Sequence, residues 1–381
     1  MNTAVYAFSG DPITNGHINV IERALAVFDN IIVGIGMNPK KKYLFSLEER
    51  TKMAEQALSK FAGRITVKAF EGLLVDFAYT MNAKTIIRGI RNVHDFQEEY
   101  EMFLVNQTQK GIDTFFLCAG ELLSYVSSSA VKELQTHQGD IYKYVPMLVK
   151  EQLERRISDQ EIWGMTGEIG AGKSYIAKFM RDIAKEKYNE YLDIIELDMI
   201  GRQLLTECTE PFAMEVRRKL NRELHLSIVD NADFINPKVI GEKIFSNTEN
   251  LFIYNSITKE PIMFEVYRRL KIPGRYKLIT SALLAEAGIA HICNNNIVIV
   301  HADTEVREQR MKERGYPPEE IKNREASQFS STVKKTMIEH AISRDSYGKI
   351  IMFKNNNASK GEIEELYKKM FFNHRLKIVG R

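Results

Sequence analysis

Thr3-Ala4-Val5-Tyr6-Ala7-Phe8-Ser9-Gly10-Asp11-Pro12-Ile13-Thr14-Asn15-Gly16-His17 opens the chain with a continuous apolar run, a glycine- and proline-bearing turn, and the start of a helical pattern. An apolar run of this kind predicts a strand buried on both faces, as in a parallel sheet. Ile18, Ile21, Leu25 and Phe28 then fall on one helical face. Ligands of parallel α/β sheets sit beyond the carboxyl ends of the strands, and helix N-termini attract anions, so this turn is a phosphate site by position. His17 stands at its mouth, where an imidazole N–H can donate to a phosphate oxygen as charge moves toward the leaving group. The other reading is a solvated histidine that caps its helix.

Further short runs at 31–36, 65–69, 85–88 and 114–117 read as strands, and Ser46 with Glu49 forms a capping box for the helix between two of them. The pattern βαβαβ predicts a doubly wound sheet. Lys150 to Gln160 is charged and ends in Ser158-Asp159-Gln160, ahead of a fresh strand at 161–164. A boundary here gives domains over 1–157 and 158–381. The second half repeats the logic with strands at 194–197, 277–281, 297–301 and 350–353, while 221–250 and 313–331 read as substrate cover and lid.

Two domains also suit 381 residues, since one core rarely grows beyond about 250–300. With 53 Lys and Arg against 50 Asp and Glu, the net charge of +3 gives no basic field for nucleic acid. No apolar run approaches the ~20 residues that span a bilayer, and no signal peptide is visible. The three cysteines, Cys118, Cys208 and Cys293, are far apart and lack metal-ligand spacing, which predicts a reduced cytoplasmic protein.

A second group of donors gathers at the strand ends of the first half. Lys41 and Lys42 follow the second strand, Arg88-Gly89-Ile90-Arg91 follows the fourth, and Val126-Ser127-Ser128-Ser129 opens a helix after the fifth. Three serines alone are a surface cap. One cleft lined by all these groups suits a triphosphate and a second phosphorylated substrate, where positioning and charge neutralisation are most of the chemistry.

In the second half Gly167-Glu168-Ile169-Gly170-Ala171-Gly172-Lys173-Ser174 fits G-x-x-x-x-G-K-[ST] between a strand and a helix. Its amides cradle phosphates, Lys173 reaches the β and γ oxygens, and the Ser174 hydroxyl is a ligand for Mg²⁺. Glu196-Leu197-Asp198 ends the next predicted strand, placing a carboxylate where a base can take a proton from an attacking hydroxyl. The bland alternative for Asp198 is a helix cap. Arg310, Arg314 and Arg324 flank Gly315 and project from a helical lid, either toward transferring phosphate or simply into solvent.

The first half resembles the bacterial phosphopantetheine adenylyltransferases from about residue 3 to about residue 148. The resemblance rests on Asp11 to His17, Asn38-Pro39 with Lys41-Lys42, Phe45 to Arg50, Gly72-Leu73-Leu74-Val75-Asp76-Phe77-Ala78, Arg88 to Arg91, Asp95-Phe96 and the serine triplet. It implies a Rossmann-like nucleotidylyltransferase in which the 4′-phosphate of phosphopantetheine attacks the α-phosphorus of ATP, giving dephospho-coenzyme A and pyrophosphate. By the same resemblance His17 stabilises the pentavalent transition state, Ser9, Lys41 and Arg88 hold the acceptor phosphate, and Leu73, Leu74 and Asn106 line the pantetheine arm. Ser9, Gly10 and His17, together with Gly89, Ile90, Arg91, Glu99, Ser124, Tyr125, Val126, Ser127, Ser128 and Ser129, would contact ATP. The family forms hexamers. Where it carries Gly-Thr-Phe-Asp this chain has Phe8-Ser9-Gly10-Asp11, which puts bulk where a backbone should approach phosphate.

The second half resembles the dephospho-coenzyme A kinases over about residues 162–370, a P-loop nucleotide-kinase fold with a lid. Besides the P-loop, the match includes Glu196 to Arg202 against Asp-x-Asp-x-x-x-Arg, Leu283-Leu284 before Glu286, the arginine lid with Gln328, and Asn355. It implies that ATP phosphorylates the ribose 3′-hydroxyl of dephospho-coenzyme A, with Asp198 as base, Lys173 on the transferring phosphate, and Gly167, Gly170, Ala171, Gly172, Ser174, Arg314 and Arg324 on ATP. Glu260-Pro261 stands where the family has His-Pro, and Thr280-Ser281-Ala282-Leu283-Leu284-Ala285-Glu286 replaces Asp-x-Pro-Leu-Leu-Phe-Glu. Together the halves predict a bifunctional enzyme of coenzyme A synthesis. The alternative keeps the adenylyltransferase and makes the second half a nucleotide-binding regulatory module.

Overall fold

Five parallel strands, β1 (Thr3–Phe8), β2 (Asn30–Gly36), β3 (Ile65–Phe70), β4 (Thr85–Ile90) and β5 (Asp113–Cys118), form a sheet in the order β3-β2-β1-β4-β5. A second set, β6 (Glu161–Gly167), β7 (Leu192–Glu196), β8 (Tyr276–Thr280), β9 (Asn296–His301) and β10 (Lys349–Lys354), forms a parallel sheet in the order β10-β9-β6-β8-β7. This computed structural model describes residues 2–118, 120, 126–226, 234–245, 247–326 and 328–372. The two sheets belong to separate units, Met1–Ser158 and Asp159–Arg381, so the architecture is α/β with two doubly wound sheets.

In the first unit the interior residues of β1 are buried, and Phe8 is paired in register with Ile35. Helices on both faces complete the layers, and Ile31, Ile35, Ile86 and Ile87 are fully buried between them. Each such side chain contributes roughly 1.5–3 kcal/mol, so burial rather than strand propensity holds the central strands. The first helix begins at Asn15, earlier than the apolar periodicity suggests, because the Thr14 cap fixes its start. Ser46 and Glu49 make the expected capping box at the head of Leu47–Ala57.

Arg50 ties the site's framework together. Its guanidinium, 1% exposed, donates to the carbonyl of Ser9 and, at 2.9 Å, to that of Gly36, joining the turns after β1 and β2. The Tyr43 ring covers it at 4.0 Å.

In the second unit β6 is buried along its whole length, and the helix Lys173–Tyr188 follows it after the glycine-rich turn. β7 ends at Glu196, so Asp198 is the second residue of the helix Leu197–Thr206 and not the strand terminus that the sequence suggests. Its carboxylate gains the favourable N-terminal end of the helix dipole. Within the predicted cover region, 221–250, the helix Pro211–Leu224 ends, Pro237–Phe245 lies whole and Thr248–Leu270 begins, and Pro318–Ala326 lies within the predicted lid.

Replacing Arg50 by alanine strands two partly buried carbonyls, at a cost of about 2–3 kcal/mol. Amide exchange in β1 and β2 should then accelerate about 30- to 150-fold. Glu48→Ala, which removes only an exposed pair with Lys52, should leave that exchange unchanged.

Two candidate phosphate-transfer sites

In the first unit the Thr14 side chain and the His17 ring form a reciprocal cap. The His17 amide donates to Thr14 Oγ1 at 3.5 Å, while the Thr14 amide donates to His17 Nδ1 at 3.0 Å. A backbone N–H can only donate, so Nδ1 is the acceptor and the proton of the neutral ring sits on Nε2. The capping reading of His17 holds: the ring caps its helix through Nδ1, and Nε2 is left as the donor. Burial, with a smaller contribution from Arg91, lowers its pKa to about 4. The ring is half-buried and uncharged at neutral pH.

The turn between β1 and this helix is anchored on Asp11, whose carboxylate accepts from the amides of Leu44 and Phe45 at 3.0 Å each and pairs with Lys132 at 2.7 Å. Phe8 lies at the carboxyl end of β1, beside this turn. Its ring stacks on His17 with centroids 4.2 Å apart and planes 18° apart.

Leu73, Leu74, Arg88 and Asn106, predicted for the acceptor side, line one small cavity of ≈70 Å³ with Glu99, Met102, Phe103 and Thr114. Arg88 is ion-paired with Glu99 there, so the glutamate predicted for ATP meets the cation predicted for the acceptor phosphate. Lys41 is exposed in the turn after β2 and is not part of that lining. Gly89 and Ile90 end β4, and Arg91 beyond them pairs with Asp95 at 2.8 Å. Ser127 caps the helix Ser128–Thr136, and the Ser128 hydroxyl donates to the Pro12 carbonyl at 2.8 Å, drawing this helix start to the β1 turn. Val126 is buried and Ser129 exposed. Ser124 and Tyr125 lie outside the described residues.

In the second unit Lys173 Nζ donates to its own loop carbonyls, Gly167 at 2.9 Å and Glu168 at 3.1 Å. Gly172 is left-handed at φ 92, and a Cβ there would lie 2.3 Å from Asn355 Nδ2, which holds the Ala171 carbonyl at 2.8 Å. The Ile169 amide donates to Gln328 Oε1 at 3.1 Å, and Arg310 donates to the Gly170 and Ala171 carbonyls at 3.3 and 3.4 Å. Ser174 presents an exposed hydroxyl in the first helical turn.

Burial lowers Lys173 to about 8; Lys334 and Arg314 add to this, and Asp198 and Glu286 oppose it. Asp198 is held above the ordinary carboxylate range by desolvation of its carboxyl, although the residue still shows surface to solvent. The Lys173 charge, the Ala282 amide and the Ser281 hydroxyl pull it back down. Ala282 stands where the resembled family has proline, which has no N–H to give, so this departure supports Asp198. Glu286 keeps the family's carboxylate and pairs with Lys334, whose side chain is fully buried. Glu260-Pro261 lies inside the helix Thr248–Leu270.

Arg314 is exposed at the end of Thr304–Glu313. Arg324 belongs to Pro318–Ala326, and its side chain lies outside the described residues. Lys334 carries no sequence signal, since one lysine on a charged helix reads as a solvated face. A larger cavity of ≈220 Å³, lined among others by Gln203, Glu207 and Arg269, contains none of the predicted site residues.

Comparison with known proteins divides the chain in the same way. A cytidylyltransferase-like family model matches residues 9–134, and a dephospho-CoA kinase model matches residues 161–348. The phosphopantetheine adenylyltransferase of Desulfosudis oleivorans is 47% identical over 158 residues, 41% of this chain and 94% of that protein. That of Clostridium perfringens is 42% identical over 159 residues, 42% of this chain and 96% of its own. A solved dephospho-CoA kinase from Campylobacter jejuni covers 56% of this chain and 98% of its own at 15% identity, with a TM-score of 0.33.

The pinned ring makes a spectroscopic prediction. Nitrogen-detected NMR of His17 should show the Nε2–H tautomer and a transition near pH 4. Because that pKa is depressed, the unfolded chain binds the proton first. The residue's contribution to stability is therefore complete above the ordinary histidine value of about 6.5 and is lost as pH falls from there through about 4.

Proposed function

The chain belongs to the phosphopantetheine adenylyltransferase family through its first unit and carries a dephospho-CoA kinase domain in its second, and from that premise we propose how its residues divide the two reactions. The enzyme is bifunctional: it transfers AMP from ATP to 4′-phosphopantetheine, then phosphorylates the ribose 3′-hydroxyl of the dephospho-coenzyme A formed. The observation that carries the reading is that each unit turns from the end of a buried central strand into a helix start beside cationic side chains.

In the first reaction the attacking group is already an anion, so the protein need not supply a nucleophile. Neutral His17 donates from Nε2 to an α-phosphate oxygen as charge accumulates there, and the Thr14 amide on Nδ1 supports that tautomer. Arg88, Ser9 and Lys41 neutralise the acceptor phosphate, and the cavity at Leu73, Leu74 and Asn106 takes the pantetheine arm. Gly10, the amides of Gly89 and Ile90, the Arg91 cation and the Ser127–Ser129 helix start receive ATP, Ser124 and Tyr125 being assigned by resemblance. Glu99 holds Arg88 in position between the two substrates.

In the second reaction the amides of Gly167, Gly170, Ala171 and Gly172 and the Lys173 ammonium hold phosphate. Asp198 takes the proton of the 3′-hydroxyl, and its desolvated carboxyl makes it a better base than a free aspartate. Arg314 and Arg324 contribute positive charge from the lid. Among the described residues no cluster of three or more His, Cys, Asp or Glu side chains could hold a metal by itself. Nucleotide-bound Mg²⁺ keeps water and phosphate ligands and needs only one or two protein oxygens, which the Ser174 hydroxyl fits. When bound it would neutralise phosphate charge.

A hexamer is the assembly we propose. Val93, Phe96, Tyr100, Met102 and Val105 are all exposed apolar residues on the single helix Val93–Lys110, which supports burial against another copy. Light scattering that gives a monomer would contradict it. No helix among the described residues is long and apolar enough to cross a membrane. The wide spacing of Cys118, Cys208 and Cys293 along the chain supports a cytoplasmic setting, and nucleic acid is not a proposed partner.

Asp198→Asn should lower 3′-phosphorylation by roughly 10²–10⁴-fold and leave pyrophosphate release by the first unit intact. With Lys173→Ala, dephospho-coenzyme A should accumulate from 4′-phosphopantetheine and ATP. His17→Ala should lower adenylyl transfer about 10²–10³-fold without affecting phosphorylation of added dephospho-coenzyme A. Full coenzyme A production by Lys173→Ala would refute the assignment of the second site.

A further inference from the structure

Hydrogen bonds to one nitrogen do not fix an imidazole. With Nδ1 bonded to the Thr14 amide at 3.0 Å and near the Thr14 hydroxyl at 2.8 Å, the His17 ring can still hinge about that edge. Hinging carries Nε2 through an arc, and Nε2 is the atom that must meet the phosphate.

The face of the ring removes this freedom. Phe8 lies parallel to it at 4.2 Å, and Tyr6 backs Phe8 at a centroid distance of 5.0 Å, so the imidazole rests on a braced aromatic surface. Tyr6 is buried in the core of the sheet. The brace is therefore continuous with β1.

Gly10 leaves the space that this stack needs. It is left-handed at φ +60, and a Cβ built there would lie 3.3 Å from Phe8 Cε2 and 3.3 Å from Ile35 Cδ1. A large side chain at residue 10 and the present position of the Phe8 ring exclude each other. Phe8-Ser9-Gly10 thus exchanges, over two residues, the glycine and aromatic of the Gly-Thr-Phe order of the resembled family.

We propose that Phe8 is a positioning residue for adenylyl transfer: its ring fixes the plane of His17 and so the direction of the Nε2 donor, and Gly10 makes room for it. The proposal rests on the reading of His17 as the phosphate donor and adds to it the part that orients the ring. Misplacing such a group by about 1 Å costs on the order of 10²-fold in rate, whereas substrate binding, made by other residues, is little affected.

The full-length enzyme carrying Phe8→Leu, Phe8→Tyr or His17→Ala tests this through pyrophosphate release at saturating and limiting concentrations of ATP and of 4′-phosphopantetheine. Leucine fills the volume without a flat face, so kcat should fall about 10- to 100-fold while KM for ATP and 4′-phosphopantetheine stays within about twofold. Tyrosine restores the face and should return kcat to within about threefold of the parent. Phosphorylation of added dephospho-coenzyme A by the second unit should match the parent in all three variants and normalises the amount of active chain. Parental kcat in Phe8→Leu beside a large loss in His17→Ala overturns the positioning role, as does a Phe8→Leu loss confined to KM or shared equally by Phe8→Tyr. If His17→Ala itself loses nothing, the reading of His17 fails, which is a different result from failure of the stack.

Discussion

In each unit a buried central strand stops and a helix begins a few residues later, leaving helix N-terminal amides that have no partner within the helix. β1 leads through Ser9 to Thr14 into Asn15–Ala24, and β6 leads through the glycine-rich turn into Lys173–Tyr188. A doubly wound sheet places those amides beside the ends of neighbouring strands, where Arg88 in the first unit and Ser281 in the second arrive from β4 and β8. Phosphate chemistry follows from this constraint. Little covalent work is asked of the protein, and charge and orientation supply most of what it contributes.

The two sites meet that constraint with different electrostatics. On the proposed reading the first uses a neutral donor: His17 is kept uncharged by burial, and the Thr14 amide on Nδ1 leaves the proton on Nε2. Positive charge there comes from Arg88, restrained by Glu99. The second gathers Lys173, Lys334, Glu286 and Asp198 within electrostatic reach of one another, and Glu286 and the Ala282 carbonyl, at 2.7 Å, offset part of the cost of burying Lys334. Two of the three Lys173 ammonium protons go to the carbonyls of Gly167 and Glu168 in its own loop, which leaves the third for a phosphate oxygen.

Strand-level features were legible in the sequence because apolar runs, caps and glycine-rich turns are local signals. The ten strands among the described residues lie where those signals predict them, with ends shifted by up to three residues, and Asp198 moves from a strand end into a helix as a result. His17, Lys173 and the cavity residues Leu73, Leu74 and Asn106 were legible through their motifs. What was not legible depends on distances across turns. The Phe8 ring lies on His17 and the Ala282 amide reaches Asp198, and neither contact is signalled by chain order. Lys334 and Arg50 are charges that only burial distinguishes from solvated ones.

The central claim is that one chain carries a nucleotidyl transfer and a phosphoryl transfer in sequence, drawing different phosphorus atoms from two ATP molecules. Tracing those atoms tests it most directly. The purified enzyme is given 4′-phosphopantetheine, Mg²⁺ and ATP labelled at the α and γ positions with distinguishable isotopes, and the product is resolved by mass. The account predicts coenzyme A with one α-derived and one γ-derived phosphorus in equal amounts; product that carries only the α-derived label would contradict it.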